Sequence, residues 1–234
     1  MKNNGRWKKI VKTLFARKVA MVSAVVVVLF IAVAILAPVI SPYDPNYADF
    51  ASFLQGPGSA HLLGTDNYGR DVLSRIIYGT RVSLIIGVFA VMIACIIGTF
   101  FGMIAGYFGG IVDDVINRIM EAIRAIPQII LAMALTAVFG SGIRNLAIIL
   151  GISSMAGYER MMRGQVLTIN KAAYIKARKL QSKKHFRLMF IPILPNSISA
   201  IVVMMTKQAG QTILGEAGLS FLGLGISTPT ASWG

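Results

Sequence analysis

The sequence predicts an all-α polytopic membrane protein, and three observations carry that prediction. Apolar residues make up 56% of the 234 residues and the mean hydropathy is +0.71, well above an ordinary soluble composition. These residues gather into runs long enough for a helix to cross a bilayer. The 23 Lys and Arg, which give a net charge of +14, fall in blocks beside those runs, as topology signals do. They are not spread over a soluble face with interleaved aromatics, so no nucleic-acid partner is expected. Cys95 stands inside an apolar run and reads as a small core or lipid-facing residue, with neither a disulfide nor a metal cluster open to it.

Residues 1–18 form a basic, cytoplasmic start: Lys2, Arg6, Lys8, Lys9, Lys12, Arg17 and Lys18, with no acid. The apolar run 19–40, about 22 residues or roughly 33 Å of helix, is a first transmembrane helix. It is longer than the apolar part of a signal peptide and ends at Pro38 and SPYDP, so it reads as an uncleaved anchor with its N-terminus inside. Residues 41–81 hold Pro42, Pro45, Pro57 and four of the nine acids, and read as an irregular external loop giving way to a helix near Asp71. Asp71 and Arg75 are spaced as an i,i+4 pair at that helix start.

A helical membrane core is expected over 82–234. Its first span, 82–105, carries Gly98 and Gly102, with Gly106 one step beyond, at four-residue intervals; this smooth stripe suits close packing within the chain. Gly109 and Gly110 turn the chain into an amphipathic helix bearing Asp113, Asp114, Arg118, Glu121 and Arg124. That helix is expected to continue into a third span, 127–139, kinked at Pro127. Gly140 to Gly142 make a turn, and a fourth span, 146–162, ends in YERMMR. A fifth apolar region, 195–214, continues into GEAGLSFLGLGISTPTASWG, whose SFLGLG part reads as partly inserted or surface-lying beyond the helix. On this layout every Lys and Arg except Arg70, Arg75, Arg81, Arg144 and Lys207 lies inside, and the acids near the spans sit beside the interfaces.

Between the fourth and fifth spans lies KAAYIKARKLQSKKHFRLMFIPILPN, residues 171–196, which is too basic to enter hydrocarbon. Drawn as a helix, it places Ala173, Ala177 and Leu180 close on one side and Lys176, Lys179 and Lys183 mostly on others. One reading is a small-residue face offered to a cytoplasmic partner protein. The other is a basic loop held at anionic lipid, each charge contributing about 1 kcal/mol.

The stretch YIKARKLQSKKHFRLMFIPILPN, preceded by YERMMRGQVL, resembles the cytoplasmic coupling loop of ABC importer permeases. HLLGTDNYGRDVLSRIIYGTRVSL and GEAGLSFLGLGISTPTASWG are similar to two further signatures of the dipeptide/oligopeptide/nickel branch, in the same order along the chain. The resemblance implies a type I ABC importer transmembrane domain with no catalytic residues and no cofactor of its own. It implies a heterodimer with a second homologous permease subunit and two cytoplasmic ATP-binding subunits that hold ATP and Mg. An extracytoplasmic substrate-binding protein and the lipid bilayer complete the partners. The setting it implies is the inner or plasma membrane of a prokaryote, and the default substrate is a di- or oligopeptide, with nickel or a metallophore complex as the alternative. Within a coupling loop 164–194, the resemblance assigns ATPase coupling to Ala173, Tyr174, Lys176, Ala177, Arg178, Lys179, Leu180, Ser182 and Lys183. The family's paired alanines fall on Ala177 and Arg178, its glycine on Ser182, and its basic position before LPN on Pro192. Members of the branch have six spans, so a sixth is expected but absent from this chain, which stops at the motif that precedes the family's last helix.

Lys207, about eleven residues into the fifth region, departs from the family's apolar pattern. It is either a cation lining the pathway near a peptide carboxylate or a hydrated residue near the outer end of the pore. His61 and His185 are expected on opposite sides of the membrane, which leaves no metal site between them, and no phosphate loop GxxxxGK[ST] occurs. A self-contained channel or secondary carrier is the competing class, but inverted repeats and acids within the spans are not apparent.

Overall fold

The computed structural model describes residues 18–172, 175 and 185–233. Regular structure among them is helical, apart from an isolated bridge between Thr65 and Asp71. They fall into two compact units, one running up to Val82 and including Pro229–Trp233, the other Ser83–Thr228.

The first unit begins with α1, Lys18–Ile40, whose 23 residues match the expected anchor. Of its side chains only Ala37 is buried, as expected of a helix whose surface is satisfied by lipid. The loop that follows is tied by short side chains. Asp49 accepts from the backbone N–H of Ala51 and from Ser52 Oγ, starting a 3₁₀ turn at Phe50–Ser52. Gly69 has φ +71° and lies so close to Asp49 that a Cβ would overlap its carbonyl oxygen. Asp66 accepts from the N–H groups of Tyr68 and Arg70 and from Arg70 Nε at 2.8 Å.

Asp71 then caps α2, Val72–Phe108, where a helix start was expected. Its carboxylate accepts from the Ser74 N–H at 2.8 Å and Ser74 Oγ at 2.7 Å, and His61 Nδ1 lies 2.9 Å away. The expected Asp71–Arg75 pair gives way to this arrangement, because a capping carboxylate folds back onto the first-turn N–H groups. Arg75 instead donates to the carbonyls of Pro45 and Pro229, at 3.0 and 3.1 Å, and stands 3.7 Å from Asp66. Trp233 Nε1 donates to Ile76 O and Thr80 Oγ1, and its ring meets Phe30 edge-on at 5.4 Å. The first turns of α2 thus hold both the Asp66 loop, through Arg75, and the far end of the chain at Pro229–Trp233. Burial works against ionisation of Asp71 and Asp66. Ser74 and His61 at Asp71, and Tyr68 and Arg70 at Asp66, outweigh it and hold both carboxyls below their ordinary 3.8.

In the second unit α2 is followed by α3, Gly110–Ala125, α4, Gln128–Phe139, and α5, Ile143–Asn170. The expected continuous helix kinked at Pro127 is corrected: α3 and α4 are separate and their axes differ by 91°. The residue before a proline is driven out of the helical region, so Ile126 takes φ −91°, ψ 126°, and Pro127 follows at ψ 130°. Two extended residues in succession redirect the chain where one would only bend it.

Helix α6, His185–Leu188, passes through a π turn at Met189–Ile193 into α7, Leu194–Phe221. Pro192 lies inside that turn, and the Leu194 N–H reaches back to Met189 O, the widened pairing that lets a chain lacking one N–H stay helical. The SFLGLG segment is corrected in part, since the helix runs on through Glu216 to Phe221 before Gly223, at φ +76°, turns the chain.

By length and apolar content three stretches are able to span a membrane: Lys18–Ile40, Val72–Phe108 and His185–Phe221. The bent pair Gly110–Ala125 and Gln128–Phe139 would make a fourth if it counts as one span. Helix α5 is not among them, because Arg144, Glu159, Arg160 and Arg163 lower its apolar content. It packs closely against α2. Gly98 and Gly102 lie against the backbone carbonyls of Met155 and Glu159, and a Cβ on Gly106 would stand 2.8 Å from Val166 Cβ. The glycine stripe therefore serves packing within the chain, as expected.

Candidate coupling and pathway site

The basic segment 171–196 is seated at both ends. Ile175 is fully buried in a cluster with Met103 and Tyr107 of α2, Met162 and Val166 of α5, and Leu188, Met189 and Ile193 from the return of the chain. Sequence spacing explains the seat: Ile175 is the large aliphatic residue in a run of Lys, Ala and Tyr, and LMFIPIL supplies apolar residues where the chain re-enters the bundle. Polar contacts reinforce it. The Tyr107 hydroxyl is 3.0 Å from His185 Nδ1, and Asn170 Nδ2 donates to Gly106 O at 3.1 Å. The expected coupling residues Ala173, Tyr174, Lys176, Ala177, Arg178, Lys179, Leu180, Ser182 and Lys183 lie outside the described residues.

Beside this seat α3 and α5 run antiparallel and exchange charges, Asp113 facing Arg163 and Arg124 facing Glu159. Arg163 Nε and Nη2 reach the two oxygens of Asp113 at 2.6 and 2.5 Å, a bidentate pair. Arg124 Nη1 donates to Ala156 O at 2.9 Å and to Glu159 Oε2 at 3.2 Å. Glu159 is fully buried, as is Glu216 of α7, which accepts from Ser83 Oγ at 3.2 Å and Ser220 Oγ at 2.9 Å. Both acids lie within the helix packing rather than on its surface. A carboxylate is buried where hydrogen bonds or an arginine reach it. These groups were missed because residue types were read along single helices. The signal was present in the pairing of acid and base, in opposite order, on two neighbouring helices.

One more polar contact links three helices. Ser154 of α5 accepts from Gln128 Nε2 of α4 and from Gln208 Nε2 of α7, each at 3.0 Å, and donates to Leu150 O. Lys207, beside Gln208, is exposed, and Glu216 nine positions on is buried, so the two occupy different sides of α7. Among the described residues no group of three His, Cys, Asp or Glu is placed to hold a metal ion.

Comparisons with known proteins place the chain in a family. Residues 98–234 match the family described as binding-protein-dependent transport system inner membrane component, and residues 5–57 match the N-terminal TM domain of oligopeptide transport permease C. The chain is 39% identical over 229 residues to the glutathione transport system permease protein GsiD of Pectobacterium atrosepticum, covering 97% of this chain and 76% of that protein. It is 40% identical over 228 residues to the dipeptide transport system permease protein DppC of Alkalihalophilus pseudofirmus, covering 97% and 75%. The GsiD protein of Escherichia coli O6:K15:H31 is 40% identical over 229 residues, with 97% and 76% covered. With its helical spans, its signature motifs and these matches, the chain belongs to the family of inner membrane components of binding-protein-dependent transport systems, as an ABC importer permease subunit.

Proposed function

We propose that this chain forms half of the translocation pathway of an ATP-driven importer of short peptides, and that residues 171–196 couple it to cytoplasmic ATP-binding subunits. The observation that carries the coupling is the seat of Ile175. A force applied to the segment is delivered through Ile175, Leu188, Met189 and Ile193 to α2, α5 and α7 together. The peptide substrate rests on relatives named for glutathione and dipeptides, both short peptides, and this favours peptides over nickel or a metallophore complex.

In this reading ATP and Mg belong to the two ATP-binding subunits, a second homologous permease completes the pathway, and an external binding protein delivers the peptide. The basic N-terminus lies inside. Ala173, Tyr174, Lys176, Ala177, Arg178, Lys179, Leu180, Ser182 and Lys183 meet the ATP-binding subunit, and Lys207 is the pathway candidate, set against a hydrated position near the outer end of the pore. Co-purification of the chain with the ATP-binding subunits, compared with a Lys176→Glu/Lys179→Glu variant, tests the reading. Loss of the complex in the variant supports it, and an intact complex returns the segment to a lipid-facing loop.

A further inference from the structure

Helix α3 is a bar between two bends. At its start Gly109 and Gly110 take φ of +66° and +53°, and a Cβ on either would meet nothing within 4 Å. At its end Ile126 and Pro127 are extended and the next axis lies at 91°. Against α5 it is held on its charged face by the Asp113–Arg163 and Arg124–Glu159 pairs.

The two pairs are not equivalent. Asp113–Arg163 uses both carboxylate oxygens and is partly open to solvent, with side chains 12% and 32% exposed. Glu159 is fully buried yet bound through Oε2 alone, and its Oε1 has no hydrogen-bond partner. A buried carboxylate oxygen without a donor costs free energy, so a second state in which it is satisfied would be favoured locally. One helical turn along α5 stands Arg163, within reach of an i,i+4 pairing and carrying five N–H donors. Helix α5 is locked to α2 where Gly98 and Gly102 meet the carbonyls of Met155 and Glu159, so relative motion falls to α3. Arg163 also borders an open groove of about 460 Å³, which gives its guanidinium room to turn.

We propose that Asp113–Arg163 is a releasable latch on α3, and that Glu159 Oε1 is the second seat of the Arg163 guanidinium. When the start of α3 swings away about the Ile126–Pro127 bend, Arg124 beside that bend stays on Glu159 Oε2, Arg163 passes from Asp113 to Glu159 Oε1, and Asp113 is carried toward solvent with Asn117 still bonded to it. No buried charge is left bare in either state. The purpose of the latch rests on the importer reading; its geometry does not.

Spin labels at Arg118→Cys and Arg160→Cys, both exposed positions, in a Cys95→Ser background, report the α3–α5 distance by pulsed electron resonance in nanodiscs that hold the assembled transporter. The native latch gives one distance without nucleotide, and Asp113→Asn adds a longer one. The exchange Asp113→Arg/Arg163→Asp restores the short distance, since an ion pair re-forms. It leaves ATP-driven dipeptide uptake at least tenfold below native, because an aspartate at 163 cannot bind Glu159. A pair that serves only stability would recover uptake with the exchange. One unchanged distance in every variant, or uptake restored by the exchange, overturns the proposal. A longer distance in Asp113→Asn with no response of the native protein to ATP upholds the latch and counts against the importer reading.

Discussion

Gly102 of α2 lies against Glu159 of α5 so closely that a Cβ would overlap the Glu159 carbonyl oxygen. A close approach of the two helices thus coincides with the buried carboxylate that Arg124 neutralises. Close packing and charge burial are set at one level of the bundle. Gly102→Ala forces the helices apart there, and the cost of overpacking a fitted core is about 1–3 kcal/mol. A fall in the thermal midpoint of the detergent-solubilised protein checks it, and Gly164→Ala, where a Cβ meets nothing within 4 Å, serves as the neutral control.

Trp233 anchors the TASWG motif to the start of α2 through Ile76 and Thr80 and covers Phe30. The residue is 37% exposed, so Trp233→Ala is expected to cost less than the about 3–5 kcal/mol of a fully buried aromatic. The loss should be local. Proteolysis of the 41–71 loop is expected to accelerate while helix content stays constant.

Asp66 and Asp71 have carboxyl values lowered in the folded loop, so the unfolded loop binds more protons at acid pH. Their contribution to stability is fully present above the ordinary value of 3.8 and is lost as pH falls through the lower folded values. Loop proteolysis measured against pH, with an acid-active protease, should therefore stay slow at neutral pH and rise only below about 4. Asp71→Asn should flatten that dependence.

Lys207→Met is expected to lower uptake of a dipeptide severalfold while leaving assembly intact, if the cation meets the peptide carboxylate. A larger effect on peptides with a free C-terminal carboxylate than on their amides separates this from simple hydration, and unchanged uptake removes Lys207 from the pathway.

Much of the fold was legible because its signals are local. The run 19–40, the helix start beside Asp71 and the Gly98–Gly102–Gly106 stripe each follow from residues close in sequence, and the structure places them accordingly. Signals that depend on a second helix were not legible. The 91° break needed two successive extended residues rather than one proline, and Glu159 needed Arg124 from α3 to be a tolerable burial. The polar residues that meet such partners also keep α5, read from the sequence as a fourth span over 146–162, below the apolar content of the other spanning helices. At the candidate site, the exclusion of the basic segment 171–196 from hydrocarbon was legible from its charges. The seat of Ile175 required knowing that α2 and α5 converge there.

Uptake of a labelled dipeptide into proteoliposomes tests the coupling claim most directly, using this chain with its permease partner, the ATP-binding subunits and the binding protein. The account predicts uptake that requires ATP, and its loss in Lys176→Glu/Lys179→Glu although both permease subunits remain inserted. Uptake by this chain alone without ATP, or ATP-driven uptake that survives the double charge reversal, would contradict it.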